Sequence, residues 1–366
     1  MTRKHFLRQI FHTAVALSAL LATTSPAAPG LSIANPRVRE VIVVQRTVTP
    51  ELMALDGILG TAVGQDDAGN VGLVIFVNSE GANPGEVIRS LPATIRGVGV
   101  SGRLTEPFRA LAGKPGGSSG GSSYTAKQNP PIKLGTSGGW GHDLANGYCC
   151  GGTLGCLINI NGEQHILSNY HVLESDMVSG GNGRVKQNGD PVIQPGLIDV
   201  GCNAANAQSV ATLVVRGSLP ASNVDAAIAK VVNGMVDPSG AILGIGTLSA
   251  QTQTAFLNQP VKKSGRTSGL TRSSVAGLNA TVSVTYENEC AGGTAFTKTF
   301  TGQIIVNNRV KGKSFLAGGD SGSLMAEDVA TNPKAVGLLY AGSSAYAIAN
   351  PIDEVLAFFG ATMVGQ

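Results

Sequence analysis

The run TLGCLINI (153–160), NG (161–162), EQHILS (163–168) sets a turn dipeptide between two apolar segments. Asn-Gly accepts the left-handed torsions that a two-residue hairpin loop requires, and flanked by such segments it is the strongest short-range hairpin signal a sequence offers. The reading is two antiparallel strands, with His171 three residues beyond the second. The same pattern extends outward. The chain holds 50 glycines, 13% charged and 5% aromatic residues, which favours short strands joined by tight turns over long solvated helices. Residues 131–366 then form one all-β domain of two packed barrels.

The full length of 366 residues exceeds what one core usually supports, about 250–300, so a second unit is expected. It lies at 31–110 as a small α+β domain. Thr49, Pro50 and Glu51 look like a helix cap, first position and first-turn acid, with Gly57 as the stop. A hairpin follows, from Gly60–Gly64 through the turn Asp66–Asn70 to Val71–Val77, and extended chain is expected at Ile95–Leu104. KPGGSSGGSS (114–123) cannot bury apolar surface and reads as a linker, drawn here as 111–130.

Residues 1–28 read as an export signal: Arg3, Lys4 and Arg8 precede the uncharged apolar run Ala14–Ala22, and cleavage fits after Ala27 or Ala28. That run is shorter than the ~20 residues a spanning helix needs, so a protein secreted or delivered to the periplasm, free of the membrane once cleaved, is expected. Five cysteines follow, Cys149, Cys150, Cys156, Cys202 and Cys290. Outside the cytoplasm disulfides are permitted, yet an odd count leaves one thiol over, and spacing does not reveal the pairing. Zinc is a weaker reading, because the adjacent pair lacks the usual two-residue gap and no histidine cluster accompanies it. A net charge of +3 with no basic stripe argues against a nucleic-acid partner.

Chemistry concentrates at three places. Ser321 sits in GGDSGS (318–323), where flanking glycines permit unusual torsions and a close approach of substrate. A serine needs a neighbouring base to become nucleophilic. Of His142, His165 and His171, only His171, in LSNYHVL, ends a buried strand with apolar anchors after it. The base in turn needs an acid to hold its tautomer. Asp225 opens DAAIAKV (225–231), an apolar strand able to shield a carboxylate; Asp199 and Asp237 compete for the role.

The order His, Asp, Ser, at spacings of 54 and 96 residues, resembles that of the chymotrypsin-like serine peptidases, their bacterial members in particular. VKKSGRTSGL (261–270) is similar to an element of the streptogrisin and α-lytic protease group, and GLLYAGSSAYAIANPI (337–352) to the strand that receives substrate. The resemblance implies two packed six-stranded antiparallel barrels with the site between them. By the same resemblance Ser321 is the nucleophile, His171 the general base and Asp225 the orienting acid, and the amides of Gly319 and Ser321 form the oxyanion hole. It further implies a buried ion pair between Arg266 and Asp320, a polypeptide substrate bound along Tyr340, Ala341, Gly342 and Ser343, and no metal or organic cofactor. Phe315, six residues before Ser321, stands where an enzyme specific for basic side chains has an aspartate, so cleavage after lysine or arginine is unsupported. Ala341 replaces a frequent aromatic. The segment 31–110 is either a removed propeptide or a permanent accessory domain.

Two other readings share the fold: a peptide-binding protein without catalysis, and an esterase. Oligomeric state is not legible.

Overall fold

The computed structural model describes residues 30–110, 121–145, 148–174, 183–287 and 295–366. The expected export signal, most of the linker and Cys290 lie outside the described residues. Strands dominate, in two large sheets.

The predicted hairpin forms as Cys156–Ile160 against Glu163–Ser168, with Asn161 and Gly162 both at positive φ (51° and 85°). It belongs to an eight-stranded sheet that curls back on itself. Gly152–Leu154, just before the hairpin, pairs with Thr136–Trp140, and the sheet runs on through Pro191–Gln194, Gln208–Val214 and Ala227–Val231 to return to Glu163–Ser168. Leu157, Ile166, Val210, Leu213 and Ile228 of its strands are all at most 1% exposed and belong to one buried cluster.

The second sheet has eleven strands. Pro260–Gly265 pairs with Leu324–Glu327 on one side and with the start of Gly269–Tyr286 on the other, so this sheet also turns through Ala335–Gly342, Tyr346–Pro351 and Phe296–Asn307 to meet itself. The long hairpin Gly269–Tyr286 and Phe296–Asn307 projects past that closure and offers a free flank.

The N-terminal segment takes that flank, which corrects the expectation of a self-contained domain. Ile58–Gln65 pairs with Gly269–Tyr286, Thr61 opposite Thr281 and Gly60 opposite Val282, and Val71–Asn78 and Val98–Thr105 continue the same sheet. The hairpin and extended segment read from the sequence are therefore present, but their hydrogen bonding is completed by the C-terminal half. The helix is also displaced. It spans Pro36–Met53, capped by Asn35, and runs through Pro50 where a start was expected. Val38, Val41, Ile42, Val48 and Leu52 recur at helical spacing and bury one face, and tertiary burial of that face outweighs the β preference of valine. Gln45, 1% exposed, donates from Nε2 to the Asn279 carbonyl at 2.9 Å, tying the helix to the long hairpin.

The linker is shorter than drawn. Gly121–Thr125 forms a short helix. Beyond it, Gln194 donates to the Ala126 carbonyl and Gln208 to that of Gln128, so residues 126–130 belong to the first sheet's rim. No helix among the described residues is long and apolar enough to cross a membrane. Cys149 and Cys202 form a disulfide, and Cys156 is a free, buried cysteine whose thiol burial pushes up to about 12.

Candidate active site

Of the sequence-predicted residues, His171 and Asp225 meet directly, and Ser321 is carried by a loop of the second sheet that the first sheet binds. His171 lies in the helical turn Tyr170–Leu173, which follows directly on strand Glu163–Ser168. Val172 and Leu173, both at most 1% exposed, pack into the first core and fix that turn. His171 is 8% exposed.

Asp225 stands two residues before Ala227–Val231 and is fully buried. Its Oδ2 accepts from His171 Nδ1 at 2.6 Å, and its Oδ1 accepts from the Tyr170 amide at 2.7 Å. The backbone is held as firmly: Asn169 Nδ2 donates to the Asp225 carbonyl, and the Asp225 amide donates to Asn350 Oδ1 on the second sheet. A carboxylate this enclosed is tolerable only with such a set of donors. Asp199 and Asp237, the competing acids, are elsewhere: Asp237 caps its own turn through Ser239. His171 Nε2, on the opposite edge of the ring, is buried and has no hydrogen-bond partner among the described residues.

Ser321 is 0% exposed, and its hydroxyl donates to the Tyr340 carbonyl at 3.3 Å. The loop carrying it needs its glycines. Gly319 and Gly322 have φ of 93° and 89°, and a Cβ on Gly322 would lie 2.2 Å from Ser168 Oγ. Thr153 binds the loop twice, its amide to the Ser321 carbonyl at 2.8 Å and its hydroxyl to the Gly319 carbonyl at 3.0 Å. The first sheet thus grips the serine loop of the second.

Arg266 and Asp320 do not pair with each other, contrary to expectation. Arg266 forms a two-pronged bridge to Asp199, Nε at 2.8 Å and Nη2 at 2.6 Å. Asp320 pairs instead with Lys263 Nζ at 2.8 Å, both side chains fully buried. The physical reason is strand geometry: along Pro260–Gly265 side chains alternate faces, and Lys263 projects under the serine loop, while Arg266 lies past the strand end and reaches across to the first sheet. Asp320 also accepts from the amides of Thr267, Ser268 and Ala317 and from Ser268 Oγ. Burial pulls the Lys263 ammonium below its usual range, and the Asp320 carboxylate counters it. Lys263→Met should lower unfolding free energy in urea by about 3 kcal/mol, the low end for breaking a buried pair, because Asp320 keeps its backbone donors.

The expected substrate edge is already taken. Phe108–Ala110 pairs antiparallel with Ala335–Gly342, placing Ala110 opposite Ala341 and Arg109 opposite Gly342. Thr105 Oγ1 and Ser343 Oγ lie 2.6 Å apart, and Ser344 Oγ donates to Glu106 at 2.7 Å. Tyr340 and Ala341 are fully buried, and Phe315, 1% exposed, packs in the core with Val275, Met325 and Leu339. Lys263, Asn350 and Tyr286, which donates to Asp225 at 2.9 Å, were not singled out by sequence reasoning. The paired lysines 262 and 263 in an apolar strand were the one available signal, since a two-residue period sends one of them inward.

No family model matches the chain, and no curated protein matches it. Solved structures do. A protein described as a glutamic acid specific serine protease utilizing a novel histidine triad in substrate binding is 19% identical at a TM-score of 0.39, over 63% of this chain and 100% of that one. Thermobifida fusca protease A is 18% identical at 0.39, over 62% and 98%. An α-lytic protease homolog, N4, is 18% identical at 0.37, over 63% and 98%. These neighbours are chymotrypsin-like serine proteases.

Proposed function

We propose that this chain is a secreted or periplasmic serine endopeptidase built on two six-stranded barrels, cleaving peptide bonds through an acyl-enzyme on Ser321. The observation that carries the reading is the buried His171–Asp225 pair, joined at 2.6 Å through Nδ1, which leaves Nε2 as a base without a partner. With its proton on Nδ1, held by Asp225, the ring presents a lone pair on Nε2.

In the reaction the Ser321 hydroxyl leaves the Tyr340 carbonyl for Nε2. Oγ attacks the peptide carbonyl carbon as its proton passes to Nε2, and the amides of Gly319 and Ser321 receive the oxyanion. The C–N bond then breaks, and the departing amine takes the proton from Nε2. Water, deprotonated by the same nitrogen, hydrolyses the ester and restores the serine. No metal or organic cofactor enters these steps. Substrate adds as a strand along Tyr340–Ser343. Because Phe108–Ala110 holds that edge, the segment 31–110 is a propeptide whose departure opens the site.

The test is stoichiometric labelling by a fluorophosphonate. The processed protein should take up one phosphonyl group per chain, mapped by mass spectrometry to Ser321. A processed, folded protein that takes up none would sink the reading.

A further inference from the structure

We propose that Tyr286 is a positioning residue for the acid of this site: its hydroxyl holds the Asp225 carboxylate, and through it the orientation of the His171 ring. The inference rests on the reading of His171 and Asp225 given above.

Asp225 is fully buried and has three donors on its carboxylate among the described residues. The Tyr170 amide occupies Oδ1 at 2.7 Å, while His171 Nδ1 at 2.6 Å and Tyr286 Oη at 2.9 Å share Oδ2. Two of these, Tyr170 and His171, come from one helical turn and move together. Tyr286 is the donor that comes from elsewhere. It ends the strand Gly269–Tyr286 on the second sheet, whereas His171 and Asp225 belong to the first. Its bond therefore ties the carboxylate across the divide between the sheets.

The ring is held for the task. Tyr286 pairs across the long hairpin with Phe296, and the two rings stack at 4.7 Å and 6°. Its edge meets the His171 ring at 5.9 Å and 68°. Burial, and next the Asp225 carboxylate, push the phenol well above its usual range, so at neutral pH it stays protonated and remains a donor. Two other ionisable groups lie near. Tyr340 is likewise pushed up by burial and by Asp225, and its hydroxyl makes no hydrogen bond among the described residues; Lys186 bonds the Tyr170 hydroxyl at 2.9 Å. Neither is bonded to Asp225, so neither replaces Tyr286.

Sharing Oδ2 has a definite electrostatic sign. A donor on the oxygen that faces Nδ1 draws charge from it and weakens its support of an imidazolium. Removing that donor leaves Oδ2 to Nδ1 alone and frees the carboxylate to turn.

The test is Tyr286→Phe in the processed protein, with and without Asp225→Asn. Ser321 should still be labelled stoichiometrically. For a peptide substrate kcat should fall about tenfold with KM within about twofold, as expected when an interaction acts in the chemical step alone. On the Asp225→Asn background the same change should alter kcat less than about twofold, because the group it acts through is gone. A labelled Tyr286→Phe protein with unchanged kcat overturns the proposal alone, as does a full tenfold loss on the Asp225→Asn background. A wild type that is never labelled overturns the parent reading instead, and this one with it. Should Tyr286→Phe fail to fold by circular dichroism, Phe296→Leu, which keeps the hydroxyl but loosens its ring, decides: a smaller kcat loss at unchanged KM supports the role, and an unchanged kcat overturns it.

Discussion

Substituting Ser321 with alanine lowers kcat for peptide hydrolysis by about six orders of magnitude while the protein remains folded, a loss comparable to removing the entire triad. The fold should survive because the hydroxyl makes one long bond, 3.3 Å to the Tyr340 carbonyl, whereas the loop is held by Asp320 and Thr153. Deleting one weak hydrogen bond costs about 1 kcal/mol, far below what would unfold a domain. Residual turnover above background, through the amides of Gly319 and Ser321, is expected and small. The measurement is a steady-state assay on a peptide substrate alongside thermal unfolding. Full activity in the variant would remove Ser321 from the chemistry.

Asp225→Asn comes next in size, lowering kcat at neutral pH by about 10⁴ with KM little altered. The environment of this particular carboxylate makes the replacement unusually ill-suited. Both oxygens face donors: the Tyr170 amide on one side, His171 Nδ1 and the Tyr286 hydroxyl on the other. An amide offers one oxygen, so in either orientation its NH₂ confronts a donor. If the NH₂ faces Tyr170, two N–H groups oppose each other. If it faces His171, the ring must expose the Nδ1 lone pair and carry its proton on Nε2, the nitrogen that has to accept from serine. A pH–rate profile together with kcat on the variant would decide, and retention of wild-type kcat would displace Asp225 as the acid.

Much of this arrangement was legible in residue order. Asn161-Gly162 fixed a hairpin because its backbone preference is local, and the strand at 71–78 and the turn Asp66–Asn70 were readable for the same reason. His171, Asp225 and Ser321 stood out because each pairs a reactive side chain with apolar or glycine-rich flanks. The helix Pro36–Met53 was misplaced, since its valines carry a local signal for strand that burial against the sheet reverses.

By itself, then, the chain determined the hairpin strands, their turns and which side chains to propose as reacting, all readings that depend on a few adjacent residues. Tertiary structure alone decided that Lys263 rather than Arg266 meets Asp320, that Tyr286 reaches Asp225, and that Phe108–Ala110 lies along Ala341 and Gly342. Those contacts join residues from 57 to 233 positions apart in sequence, and which charge lands beside which depends on the facing of whole sheets, on strand parity and on where each strand stops.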